Sequence, residues 1–127
     1  MADFRLSVRC EPVSGEVDQA CGLVFRYQDE SDYYVTRANA LEGNVRLYKV
    51  INGDRQQFAG WQDAVTRGVW HKLRVEAQGD HFTVFWDGRP IIDTHDRTFS
   101  ETGRLGLWTK ADSISYFDDL EVESLER

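Results

Sequence analysis

A chain of 127 residues is long enough for one two-layer core and too short for two ordinary domains, and 41% apolar with 29% charged residues is the balance of a folded globular protein. Its 22 acids against 15 bases give a formal charge of −7 with no basic run to offset it, which argues against nucleic acid and anionic membrane as partners. A neutral ligand, or a cation such as calcium, fits better.

Short β-type segments run from one end of the chain to the other. FRLSVRC alternates Phe4, Leu6, Val8 and Cys10 with Arg5, Ser7 and Arg9, the two-residue period of a strand with one wet face. CGLVFRYQ and DYYVTRA follow, joined by the polar DES. NVRLYKVI then meets Asn52-Gly53, a dipeptide that tolerates positive φ at both positions and suits a tight hairpin, with a return strand near RQQFAGW. VWHKLRVEAQ alternates Leu73, Val75 and Ala77 with Lys72, Arg74 and Glu76. A GD turn leads into HFTVFW, and Asp87-Gly88 turns that into RPIIDTH. GRLGLWT and SISYFDDLEVESL bring the total to about ten strands, with no helical period and no internal repeat. Such strands each bury one face, so the expected fold is all-β, an antiparallel sandwich.

Strand character begins near Asp3 and ends near Leu125, so residues 1–127 are expected to form a single sandwich domain, separable from a longer parent chain. No apolar run reaches the length of a membrane span, and the opening MADFRLSV lacks the basic-then-apolar layout of a signal peptide. Cys10 and Cys21 have ten residues between them; they either close a disulfide loop or pack as buried thiols, and their spacing does not decide which.

GLVFRYQDESDYYVTRAN, VRLYKVINGD, GVWHKLRVEAQGDHFTVFWDGRPIIDTHD, GRLGLWT and SYFDDLEV, in that order, resemble the concanavalin A-like lectin/glucanase superfamily. Within it the chain is similar to the laminin G-like and 3-keto-disaccharide hydrolase-type domains of bacteria, from about Phe4 to Val122. The resemblance implies a jelly roll with a concave and a convex sheet, frequent use in carbohydrate binding, and a secreted, periplasmic or cell-surface setting. Calcium is a cofactor that members of the superfamily sometimes bind. Fold likeness by itself does not fix function.

Four carboxylates crowd the last strand: Asp118, Asp119, Glu121 and Glu123. Asp119, Glu121 and Glu123 would share one face, and carboxyls at alternate positions could approach the separation of a retaining glycosidase. Laminarinase-type glucanases carry such a row as E-x-D-x-E, whereas this chain has D-x-E-x-E without a nearby aromatic on that face. A solvated outer face is the favoured reading. Asp118 breaks a core face formed by Ile114, Tyr116, Leu120 and Val122, so either a β-bulge near Phe117–Asp119 shifts the register or the carboxylate finds backbone N–H groups, an arginine or a cation. Asp118 is the weak candidate for a metal ligand.

Arg26, Tyr34, Arg37, Asn39, Arg46, Tyr48 and Trp108 lie in segments whose other side supplies core residues such as Leu23, Phe25, Leu47, Leu105 and Leu107. Aromatic faces pack on sugar rings and planar donors bind hydroxyls, so these residues are the candidate ligand-binding set. Trp61, Trp70 and Trp86 read as core or rim, and His71 as a hydrogen-bonded structural residue. His71, His81 and His95 show no metal-binding spacing, and no nucleophile elbow, phosphate loop or dinucleotide motif is present. The expected function is a non-catalytic, lectin-like module holding a glycan on the concave sheet. The alternatives are a glycoside hydrolase of the glucanase or 3-keto-disaccharide hydrolase type and a structural or oligomerisation domain.

Overall fold

The alternation in the sequence becomes ten strands: β1 (Phe4–Ser14), β2 (Ala20–Asp29), β3 (Asp32–Asn39), β4 (Asn44–Ile51), β5 (Asp54–Gln62), β6 (His71–Gln78), β7 (His81–Trp86), β8 (Arg89–His95), β9 (Arg104–Trp108) and β10 (Ile114–Ser124). They come from a computed structural model that describes residues 2–14, 20–62, 65–66, 68–108 and 114–125. All pairings are antiparallel and form two five-stranded sheets, ordered β10-β1-β6-β7-β8 and β5-β4-β3-β2-β9. This is the expected jelly-roll sandwich, and among the described residues no helix is long and apolar enough to cross a membrane.

The turn chemistry works as expected. Asn52 and Gly53 sit at φ 52° and 80°, and Asp87 and Gly88 at 51° and 81°, so both hairpins use consecutive left-handed residues that match strand twist. Between the sheets lie Phe4, Leu6 and Val8 of β1, Leu73, Val75 and Ala77 of β6, and Phe82 and Val84 of β7. They meet Leu23 and Phe25 of β2 and Val45 and Leu47 of β4. Burial of each of these side chains larger than alanine is worth about 1.5–3 kcal/mol before conformational entropy is subtracted. Cys10 and Cys21, both fully buried, are bonded to each other and tie β1 of one sheet to β2 of the other, with Cα atoms 6.5 Å apart.

Two bulges redirect side chains. In β2 the pairing with β3 breaks between Phe25 and Asp29, and Arg26 takes φ 47°. In β10 the pairing with β1 runs Ser7↔Glu121 and then Arg9↔Asp118, so one extra residue is inserted where Asp119 has φ 52°. The insertion reverses the parity. Phe117, paired with Cys10, packs against the core, and exposed Asp118 turns to the same side as Glu121 and Glu123.

The expected core face of the last strand is corrected accordingly. Leu120 and Val122 are exposed, as is Leu107, because β9 and β10 are the edge strands at the same side of the sandwich. The side chains of Ile114 and Tyr116 lie outside the described residues.

Candidate functional site

The outer face of the β5-β4-β3-β2-β9 sheet can be read from its register. One row across the five strands is Gly60, Arg46, Arg37, Gly22 and Trp108; the next is Gln57, Tyr48, Val35, Val24 and Gly106. At about 4.8 Å per strand, the first row spans roughly 19 Å from Gly60 to Trp108. The β-hairpin of β3 and β4 therefore brings Arg37, Arg46 and Tyr48 together, and β2–β9 pairing adds Trp108.

Arg37, almost fully buried, is the hub. One of its terminal nitrogens donates to Asn44 Oδ1, and the other donates to Glu42 Oε2 and the Tyr48 hydroxyl, both at 2.9 Å. Asn44 Nδ2 also reaches Glu42 Oε2 at 3.4 Å. The Glu42 carboxylate thus compensates a guanidinium that would otherwise be costly to bury. Arg37 Nε, also buried, meets no acceptor among the described residues.

Arg46 is half-buried and its Nη1 reaches the Tyr48 hydroxyl at 3.5 Å; that hydrogen bond, ahead of the opposing effect of burial, raises its pKa. Its guanidinium lines a cleft of about 260 Å³ with Asn44, Gln57, Gly60, Trp61 and Gln62. Among the described residues that lining offers planar amide and guanidinium donors and amide acceptors; Trp61, paired with core Val45, has its ring packed against the core and under the Arg89 guanidinium. Such groups can hydrogen-bond hydroxyls from both sides, as donors and as acceptors.

At the far end of the row Trp108, half-exposed, lies against Gly22: a Cβ at position 22 would sit 3.3 Å from Trp108 Cε3 and 3.1 Å from Arg37 Cβ. The missing side chain lets the indole lie close to the sheet beside Arg37.

Four members of the sequence-derived set do not act as expected. Tyr34 and Arg37 are an odd number of positions apart and so cannot share a face. Tyr34 is the one inside, stacked on Phe25 at 5.2 Å and donating to Asp96 Oδ1 at 2.6 Å. Burial, reinforced by that hydrogen bond, raises its pKa.

Arg26 is turned inward by its bulge. It lies over the Phe82 ring at 5.1 Å and donates to the carbonyls of Ala2 and Phe99 at 2.9 and 3.0 Å, and burial lowers its pKa. Asn39 stands on the outer face but is fully buried, and its Oδ1 accepts the N–H groups of Leu41 and Glu42, closing the β3–β4 turn.

Tyr48 keeps its place but not its expected role. Its ring is 5% exposed and covered by the Arg55 guanidinium at 4.7 Å, so it braces arginines and offers no open stacking surface. Asn44, Glu42, Gln57 and Gly22 escaped the sequence reading. Asn44 could have been found from its place opposite Asn39 across the hairpin, since both flank the same turn.

The carboxylates of β10 sit on the other sheet. Glu123 pairs with Arg5 at 2.8 Å and Asp119 with Arg9 at 3.3 Å, all substantially exposed, the wet edge that was expected. Asp118 Oδ1 accepts the N–H of Asp119 at 2.9 Å, so bulge and backbone bond together account for it. His71, packed on Trp86, has Asp87 Oδ2 at 2.6 Å and the Thr66 carbonyl at 2.8 Å, a structural role as read.

The sequence profile of the 3-keto-alpha-glucoside-1,2-lyase-like domain matches residues 1–123. The chain belongs to that family. As a 3-keto-alpha-glucoside-1,2-lyase-like domain it is 32% identical over 108 residues to a levanase of Bacillus subtilis (strain 168), covering 83% of this chain and 15% of that protein. It is 31% identical over 86 residues to a TPR repeat-containing protein of Treponema pallidum (strain Nichols), covering 68% of this chain and 10% of the other. The domain therefore spans only a small part of either relative.

Among solved structures, the carbohydrate-binding module CBM66 from Bacillus subtilis superposes with a TM-score of 0.86 at 29% identity, covering 96% of this chain and 75% of that one. The galectin LEC-6 of Caenorhabditis elegans superposes at 0.71 with 17% identity, covering 95% and 82%, a likeness of fold alone.

Proposed function

We propose that this 3-keto-alpha-glucoside-1,2-lyase-like domain is a carbohydrate-binding module that holds a glycan on the outer face of the β5-β4-β3-β2-β9 sheet. The observation that carries the reading is the braced cluster of Arg37, Arg46, Tyr48 and Asn44, with Arg46 opening onto a cleft lined by amides and Trp61. Tyr48 and Glu42 fix the guanidinium planes before any ligand arrives, which reduces the entropy lost on binding. Arg46, Gln57 and Gln62 then address hydroxyls, and the indole of Trp108 offers an apolar face for a ring further along the row.

The likeness to CBM66 at 29% identity supports the ligand class. The levanase kinship makes a fructan such as levan the first ligand to test. The Cys10–Cys21 bridge suits an oxidising compartment, which supports a setting outside the cytoplasm, and the 15% share of the levanase that the domain covers supports its being one part of a longer protein.

The test is calorimetric titration of the domain and its Arg46→Ala variant with levan oligosaccharides and a panel of neutral glycans. Arg46→Ala lowers affinity for the bound glycan at least about tenfold, and Arg46→Lys does not restore it, since an ammonium lacks the planar fork. Equal affinity in the wild type and Arg46→Ala would remove the site assignment.

A further inference from the structure

On the outer face of the other sheet a second cluster has the chemistry of a metal site. His81 of β7 and His95 of β8 are directly paired across the hairpin. In an antiparallel pair such residues project to the same side with Cβ atoms about 4.5–5.5 Å apart. Their imidazoles are stacked, 4.6 Å between centroids and 13° from parallel. Asp93, two residues before His95, faces the same side, and its Oδ1 lies 2.6 Å from His81 Nε2. One ligand atom from each of the three residues lies within 4.8 Å of the others.

We propose that His81, Asp93 and His95 form a binding site for a borderline divalent transition-metal ion of the zinc type. Two imidazole nitrogens and one carboxylate oxygen are the donor set of such ions, whereas calcium and magnesium require sites built of oxygen. Zinc with ligands at about 2.1 Å in a tetrahedron needs its donor atoms about 3.4 Å apart, so His81 Nε2 and Asp93 Oδ1, 2.6 Å apart, open by roughly 0.8 Å, while separations of up to 4.8 Å close by about an ångström. The side chains have room to do this: His81, Asp93 and His95 are 40%, 70% and 64% exposed, and rotation about their side-chain bonds disturbs no core packing.

The surroundings also suit a metal. Asp80, in the β6–β7 turn, has its Oδ1 3.2 Å from His95 Nδ1, and its Oδ2 accepts from Arg97 Nε at 2.7 Å. A carboxylate on Nδ1 holds the proton there and presents Nε2 of His95 as the ligand, while Arg97 holds the carboxylate. At His81 the metal takes the place of the direct contact between Nε2 and Asp93. Three protein ligands leave one position of the tetrahedron for solvent or for a donor from another molecule.

Zinc chloride is titrated into the chelator-treated, otherwise intact protein, with calcium chloride in parallel, while imidazole ¹⁵N resonances and the thermal midpoint are followed. Saturable one-to-one binding is expected, with selective shifts of the His81 and His95 nitrogens, a raised thermal midpoint and no response to calcium. His81→Ala with His95→Ala removes the response, and Asp80→Asn, which spares every ligand, weakens binding by about tenfold or more. Circular dichroism of each variant verifies that it is folded. A zinc response that is absent, that survives in the double variant, or that calcium reproduces would overturn the proposal.

Discussion

Gly22 and Trp108 face each other across the β2–β9 pairing, and the absence of a side chain at 22 is what lets the indole lie against the sheet. A Cβ there would come within 2.6 Å of the Thr36 carbonyl oxygen, 3.1 Å of Arg37 Cβ and 3.3 Å of Trp108 Cε3. The nearest obstacle is backbone and cannot swing aside. Gly22→Ala therefore loses about 1–3 kcal/mol of stability in denaturant titration, and its glycan affinity drops because both Arg37 and Trp108 are displaced. Unchanged stability and affinity would mean that the row is looser than described.

The ten strands and their hairpins were legible because they depend on local rules. Asn52-Gly53 and Asp87-Gly88 supply the φ values their turns need, and the alternation of β1, β6 and β7 marks the core side without ambiguity. The binding face was harder. Alternation alone should have separated Tyr34 from Arg37, but aromatic and basic character drew both into one set. Arg26 followed alternation and was still misplaced, since a bulge with φ 47° turned it inward. The exposure of Leu120 and Val122 depends on β10 being an edge strand, a property of sheet order that no local pattern contains.

Arg26 tests that correction. Its side chain is 1% exposed and donates to the carbonyls of Ala2 and Phe99, which lose that donor if it is removed. Arg26→Met, which keeps most of the stem volume, is expected to destabilise by about 3 kcal/mol. Glycan affinity of the folded variant stays at the wild-type value, because the side chain points away from the binding face. A selective loss of affinity with unchanged stability would return Arg26 to the site.

Asp96 sets an acid limit on stability. Burial alone would raise its pKa, but hydrogen bonds from Tyr34, Thr98 and Lys49 outweigh burial and hold it at about 2, against an ordinary 3.8. With the folded value below the unfolded one, the unfolded chain binds more protons in this window. The contribution is complete above about pH 4 and is lost as pH falls through about 2, amounting to about 2 kcal/mol. Acid titration of wild type and Asp96→Asn measures it: the variant starts less stable at neutral pH and shows a flatter decline below pH 4.

The Cys10–Cys21 bridge joins the two sheets and closes a short loop, with a sequence separation of 11. Chain-entropy reasoning puts its contribution at about 3 kcal/mol. Reductant should lower the denaturation midpoint accordingly, and a Cys10→Ala, Cys21→Ala double variant should match the reduced protein and no longer respond to reductant. Free thiols detected in the oxidised native protein would contradict the bridge.

The most direct test of glycan binding is an amide and side-chain NMR titration with a levan oligosaccharide, or with whichever neutral glycan binds in the calorimetric panel. The expected shifts run along the outer face of β5-β4-β3-β2-β9, strongest at Arg46, Gln57, Gln62 and the Trp108 indole, and leave His81, Asp93 and His95 unmoved. Binding that maps instead to the β10-β1-β6-β7-β8 face, or no binding to any neutral glycan, would contradict the assignment.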